Sequence, residues 1–214
     1  MIEKPIASII HHFSSIEDPR VDRQKKHQLQ DIFFIALCAV ICGADNWVAI
    51  EEFGKAKIDW FTKLLGLQHG IPAHDTFGDV FAAIDNEQFG ECFSNWVSDL
   101  ASLTEGEVIA IDGKCLRRSI DKASRKAAIH MAKPEHAVRA HWAIENNLHW
   151  VLDIAFDEDG NRTRKGHSAA NLATIRHISF NLINKEKISK VGVKIKRLKA
   201  GWDNDYLLRI IGGI

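Results

Sequence analysis

The sequence predicts a mostly helical α+β protein, with a helical first half followed by a basic second half that carries a short strand. Three observations support this. Apolar residues recur at helical spacing through the first hundred positions: Ile58, Phe61 and Leu65, then Phe77, Val80, Phe81 and Ile84, then Phe89, Phe93, Trp96 and Leu100. A single short apolar run, residues 108–111, ends in Asp112-Gly113 and reads as a strand. Charge is also divided. Residues 1–106 hold 8 Lys and Arg against 16 Asp and Glu, and the remainder holds 20 against 12, so a net charge of zero conceals halves of −8 and +8.

In chain order, residues 1–28 form a polar lead with Pro5, Pro19 and a charged cluster at 20–27, expected to be an arm with one short helix. An apolar helix follows over 29–42, beginning near Asp31 and stopping at Gly43. Its apolar run is shorter than the roughly 20 residues needed to span a bilayer, so it reads as a buried helix. Asp45 is expected to cap a helix running through Glu52, and 56–65 continues with helical period up to Gly66. The loop 66–75 breaks the pattern, and Asp75 is the expected N-cap of the next helix. Two short helices around a turn also suit a helix-turn-helix, but the acidic balance here favours packing or subunit contact over a grip on DNA. Residues 1–8 lack the basic start and apolar run of a signal peptide, which makes the cytoplasm the expected location, with no membrane partner. Cys38, Cys42, Cys92 and Cys115 include no Cys-x-x-Cys pair and are expected to be reduced, packed thiols.

The helical pattern gives way near 103–106. The strand 108–111 would deliver the Asp112 carboxylate at its end, with Lys114, Arg117 and Arg118 just beyond it. The same Asp-Gly pair also closes ordinary hairpins. A basic segment, 119–128, would return as a second strand over 128–131. Pro134 suits the first turn of a helix to about Asn147. On that helix Ala137, Ile144, Leu148 and Val151 form an apolar stripe, with His141, Glu145 and His149 at i, i+4 spacing beside it. Glu145 then borders core and solvent and can face a metal, or it belongs to an exposed polar face with local His–Glu pairs. Residues 151–156 fit a strand or a helix continuation. The turn at 157–162 is acidic but lacks the spacing of a calcium loop. Residues 168–184 read as a helix with Leu172, Ile175, Ser179 and Leu182 on one face. The lysine-rich tail, 185–214, reads as a basic helix or an arm on DNA.

These motifs resemble a known family. AIDGK-x-x-R at 110–117 followed by R-x-HW-x-IEN-x-LHW-x-LD at 139–153 is similar to the DDE-type transposases of bacterial insertion sequences, in particular the H-repeat-associated family. DPR at 18–20, HQLQDIFFIALCAVICGADNWVAIEEFGKAK at 27–57, GIPAHDTFGDVFAAID at 70–85 and FSNWV at 93–97 resemble that family's leading domain. The resemblance covers almost the whole chain. It implies an N-terminal helical transposase-associated domain over 1–103 and a ribonuclease-H-like core over 107–214. It also implies Mg2+-dependent cleavage and strand transfer on the DNA ends of a mobile element. Asp112 would bridge two metal ions and Glu145 would hold one of them. Lys114, Arg117, Arg118 and Arg139 would position phosphates, and His141 and Asn146 would orient the glutamate or the DNA.

The chain departs from the family between Met131 and Pro134. There the segment that would carry further strands and the second catalytic aspartate is missing, which reads as an internal deletion. The ribonuclease-H-like core is then incomplete, a short hairpin plus helices. The expected product is an impaired transposase, or a non-catalytic remnant that binds DNA, itself or a full-length transposase.

Overall fold

The computed structural model describes residues 11–21, 25–103, 150–158 and 160–212. Among these residues every regular element is helical. In chain order they are α1 (Leu29–Ile41), α2 (Trp47–Ala56), α3 (Ile58–Leu65), α4 (His74–Ala83), α5 (Asn86–Leu103), α6 (Trp150–Phe156), α7 (Ser168–Lys185), α8 (Val193–Trp202) and α9 (Asn204–Gly212). The expected hairpin and the helix from Pro134 lie outside the described residues.

Helix α1 has no polar face. From Ile32 to Ile41 its side chains are buried in every direction, as expected of a helix that is apolar all round and therefore central. It begins two residues before Asp31 and ends before Gly43, as its apolar run predicts. Its main partner is α7, which also packs on α4 and α5. Helices from both sides of the undescribed stretch thus share one hydrophobic cluster. Phe13 and Ile16 enter that cluster too, with Phe13 stacked on Phe33 at 4.7 Å between ring centres. The described part of the expected polar arm is therefore packed onto the helices through these two apolar residues.

Two expected helix caps are corrected by neighbours that sequence spacing does not reveal. The cap of α2 is Asn46, whose Oδ1 accepts from the Ala49 amide at 2.9 Å, while Asp45 turns to Arg197. Helix α4 begins a residue before Asp75 and has Ala73 at its N-cap. The amide of His74 is taken instead by Glu51 of α2, at 2.7 Å, and the same carboxylate oxygen lies 2.6 Å from His74 Nδ1. Residues 151–156, left open between strand and helix, are helical. The end of α3 is set by Gly66, whose left-handed φ of 69° would strain a side-chain-bearing residue.

Helix α7 is buried on nearly all sides, more broadly than one apolar face predicts, and much of what it buries is polar. Asn171 Nδ2 donates to the carbonyls of Phe81 and Ile84, at 2.8 and 2.9 Å, and the His167 amide donates to Ala82 at 3.0 Å. The start of α7 therefore satisfies the end of α4, where helical carbonyls have no partner of their own. Arg176 is fully buried, donates through Nη2 to the Asp45 carbonyl, and has no acceptor for Nε and Nη1 among the described residues. Burial pushes its guanidinium below its ordinary pKa, although Glu158 and Asp45 oppose this.

Gly166 makes the junction of α4 and α7 possible. Its φ is 47°, and a Cβ there would collide with the carbonyl oxygen of Ala82, a backbone atom that cannot easily move. Gly166→Ala is expected to cost about 2 kcal/mol, from left-handed strain plus this contact. Urea denaturation would measure it, and a change below about 0.5 kcal/mol would show that the junction yields.

The tail folds as two helices, α8 and α9, and the inner face of α8 carries charge. Lys196 and Arg197 of α8 are buried, while Ile195, Leu198 and Trp202 face outward, Trp202 being 78% exposed. The lysine-rich pattern suggests a solvated basic helix, but two of its cations point inward to Glu186 and Asp45. No helix among the described residues is long and apolar enough to cross a membrane. Cys38, Cys42 and Cys92 are free thiols, and burial pushes Cys42 up to about 12, the unreactive protonated form.

Candidate functional site

Asp112, Lys114, Arg117, Arg118, Arg139, His141, Glu145 and Asn146 all lie outside the described residues. Two polar clefts in the described body can be built from their residues.

The first cleft, of about 550 Å³, lies between the segment 25–31 and the end of α3. Arg20 folds back here, with Nε and Nη2 donating to the two oxygens of Asp18 at 3.0 and 2.8 Å and Nη2 also to the His27 carbonyl at 2.9 Å. Burial raises the Asp18 pKa, but the Arg20 bonds outweigh it and hold the carboxyl below its ordinary value. The His27 and His69 rings meet edge-on at 6.3 Å. Burial, then His69, Arg20 and Lys26, lower the His27 pKa, so that imidazole is neutral at physiological pH. The basic cluster at 20–27 is thus partly spent inside the molecule.

The second cleft, of about 580 Å³, lies where the starts of α2 and α4 face the segment 157–168. Two of its carboxylates are paired, Asp45 with Arg197 at 2.6 Å and Asp79 with Lys165 at 2.5 Å; exposed Asp75 lies 3.4 Å from His74, whose Nδ1 faces Glu51, and Asp157 also lines the cleft. Arg162 and Arg164 border the cleft, are exposed, and have no acidic partner among the described residues. Ser168 closes it at the start of α7. Sequence reading passed over these arginines because 157–162 reads only as an acidic turn. The available signal was Arg-x-Arg-Lys-Gly immediately before a helix start.

Among the described residues no group of three His, Cys, Asp or Glu side chains stands close enough to hold a metal ion. Asp112 and Glu145, the expected magnesium ligands, lie outside the described residues.

The family model described as DDE_Tnp_1-associated matches residues 10–97, which span the helices α1 to α4 and most of α5. The chain is 35% identical to "Putative transposase YncI" of Escherichia coli K12, over 97% of its own length and 79% of that protein. The counterpart in Escherichia coli O157:H7 is 36% identical, but the match covers only 50% of it. With "H repeat-associated putative transposase YhhI" of Escherichia coli K12 it shares 23% identity along an alignment of 372 positions, covering 97% of this chain and 98% of the relative. The chain belongs to the H-repeat-associated transposase family. No solved structure matches it.

The alignment with YhhI bears on the missing segment. A chain of 214 residues cannot fill 372 positions, so more than 150 of them have no counterpart here. Because the match runs nearly end to end in both proteins, those positions are interior.

Proposed function

We propose that this protein is an internally deleted derivative of a DDE transposase that binds DNA, or an intact relative, without cutting DNA efficiently. The single observation that carries the reading is the interior loss along the YhhI alignment, which leaves both ends of the family sequence in place. Placed between Met131 and Pro134, that loss removes the middle carboxylate and part of the sheet from the ribonuclease-H-like core over 107–214. Asp112 and Glu145 would remain from a set of three. Two-metal catalysis needs both ions held a few Å apart by oxygen ligands, so losing one carboxylate weakens affinity and geometry together. Lys114, Arg117, Arg118 and Arg139 would still meet phosphates, and His141 and Asn146 would still stand beside the glutamate or the DNA.

The test is a nicking assay with the purified chain, Mg2+ or Mn2+, and a duplex carrying the DNA ends that flank its reading frame. The expected result is no cleavage above background and no difference in Asp112→Asn. Robust nicking that Asp112→Asn abolishes would overturn the reading. Binding is expected to be weakly sequence-dependent and to fall steeply with salt, as for phosphate contacts from a basic half.

A further inference from the structure

We propose that the cleft at the start of α7 is a phosphate-binding site, formed by the Ala169 and Ala170 amides, the Ser168 hydroxyl, and Arg162 and Arg164. Helix α7 has eighteen residues and no side chain capping its N-terminus. Its early amides have no acceptor within the helix, and the aligned peptide dipoles favour an anion there. Ala169 and Ala170, next to the lining residue Ser168, are exposed.

A second observation is independent of the helix end. Ser168 is 0% exposed, and its Oγ has no hydrogen-bond partner among the described residues although the residue lines the cleft. Trp47 lines the same cleft, and its buried Nε1 has no partner among the described residues. An oxyanion is the ligand that answers several unmatched donors at once.

The cleft also carries cations. Asp45 and Asp79 are answered by Arg197 and Lys165. Asp157 also lines the cleft, its carboxyl group beside Gly160. Arg162 and Arg164 stand exposed along it, and guanidinium matches phosphate in a bidentate fork. The framework is fixed in advance, since the His167 amide and the Asn171 side chain tie the start of α7 to the end of α4.

The phosphate could belong to a DNA backbone or be free in solution; the first source rests on the function proposed above, whereas the site does not. The test records amide NMR spectra of the full chain with inorganic phosphate and separately with a random-sequence 20-base-pair duplex. Fluorescence anisotropy then compares the chain with R162A/R164A, whose exposed positions leave folding intact. The Ser168, Ala169 and Ala170 amides are expected to shift, and the double variant to bind the duplex at least about tenfold more weakly, with a shallower salt dependence. Shifts with phosphate but no duplex binding would confirm the site, assign it to free phosphate, and remove the DNA reading. Duplex binding unchanged in the double variant, with these amides unmoved by either probe, would overturn the site and leave the DNA reading intact.

Discussion

Arg197→Ala is expected to lower the unfolding free energy by about 3 kcal/mol, because it leaves a carboxylate and a helix end without their partner. The Arg197 side chain is 4% exposed. Its Nη2 donates to Asp45 Oδ1 at 2.6 Å and to the Val40 carbonyl at 2.8 Å, and Nε donates to the same carbonyl at 3.2 Å. Val40 is in the last turn of α1, where a cation is favoured by both the free carbonyls and the helix dipole. The guanidinium also lies 4.0 Å from the centre of the Phe156 ring, so one side chain joins α8 to α1, to the start of α2 and to α6. Asp45 keeps 27% exposure, so water can partly replace its partner, which sets the expected loss at the lower end for a broken buried pair. Arg197→Lys keeps the charge without the planar fork and should recover only about half. Urea denaturation of both variants measures this. A loss below about 1 kcal/mol in the alanine variant would mean that Asp45 and Val40 find other partners.

The same residue shows how far the sequence could be read. The helices of the first half were legible because each carries apolar residues at helical spacing, and Phe77, Val80, Phe81, Phe89, Phe93 and Trp96 are all buried as that spacing implies. The orientation of α8 was not. A run rich in lysine reads as solvated, and only carboxylates far away in sequence, Asp45 above all, decide that Arg197 turns inward. The two cap assignments differ for separate reasons: Arg197 claims Asp45, whereas α4 starts a residue before Asp75, with Glu51 accepting from the His74 amide. Motif spacing singles out Asp112 and Glu145 only as candidates, and both lie outside the described residues. The cleft of Arg162, Arg164 and Ser168 escaped notice because its other wall, with Trp47 and Asp79, comes from helices that meet it only in the folded chain.

Glu186→Gln is expected to cost about 3 kcal/mol near neutral pH and to flatten the acid side of the stability profile. The Glu186 side chain is 1% exposed. It accepts from the Ser189 amide at 2.9 Å and the Tyr206 hydroxyl at 2.8 Å, and stands 3.2 Å from the Lys196 ammonium. Lys196 donates besides to the carbonyls of Ile183 and Glu186, and has little other access to counter-charge. Burial alone would raise the carboxyl, but the bonds from Ser189, Tyr206 and Lys196 outweigh it and bring it from 4.5 to about 2. A depressed carboxyl stabilises the fold above its unfolded pKa, so this contribution is complete above 4.5 and is lost as pH falls toward about 2. Tyr206 works at the other end. Burial and the neighbouring Glu186 raise it from 10.0 to about 12, so its contribution is complete below 10.0 and is lost as pH rises toward about 12. In Glu186→Gln the acid slope should flatten and the alkaline loss should be smaller and end closer to 10.0, since the carboxylate that opposes phenolate formation is gone. Adding Lys196→Met should recover much of the lost stability, because the main cost of the single change is an unpaired buried ammonium. Chemical denaturation across pH, on the protein and both variants, separates these contributions. A single variant as stable as the parent at pH 7 would show that the carboxylate does not hold Lys196 in place.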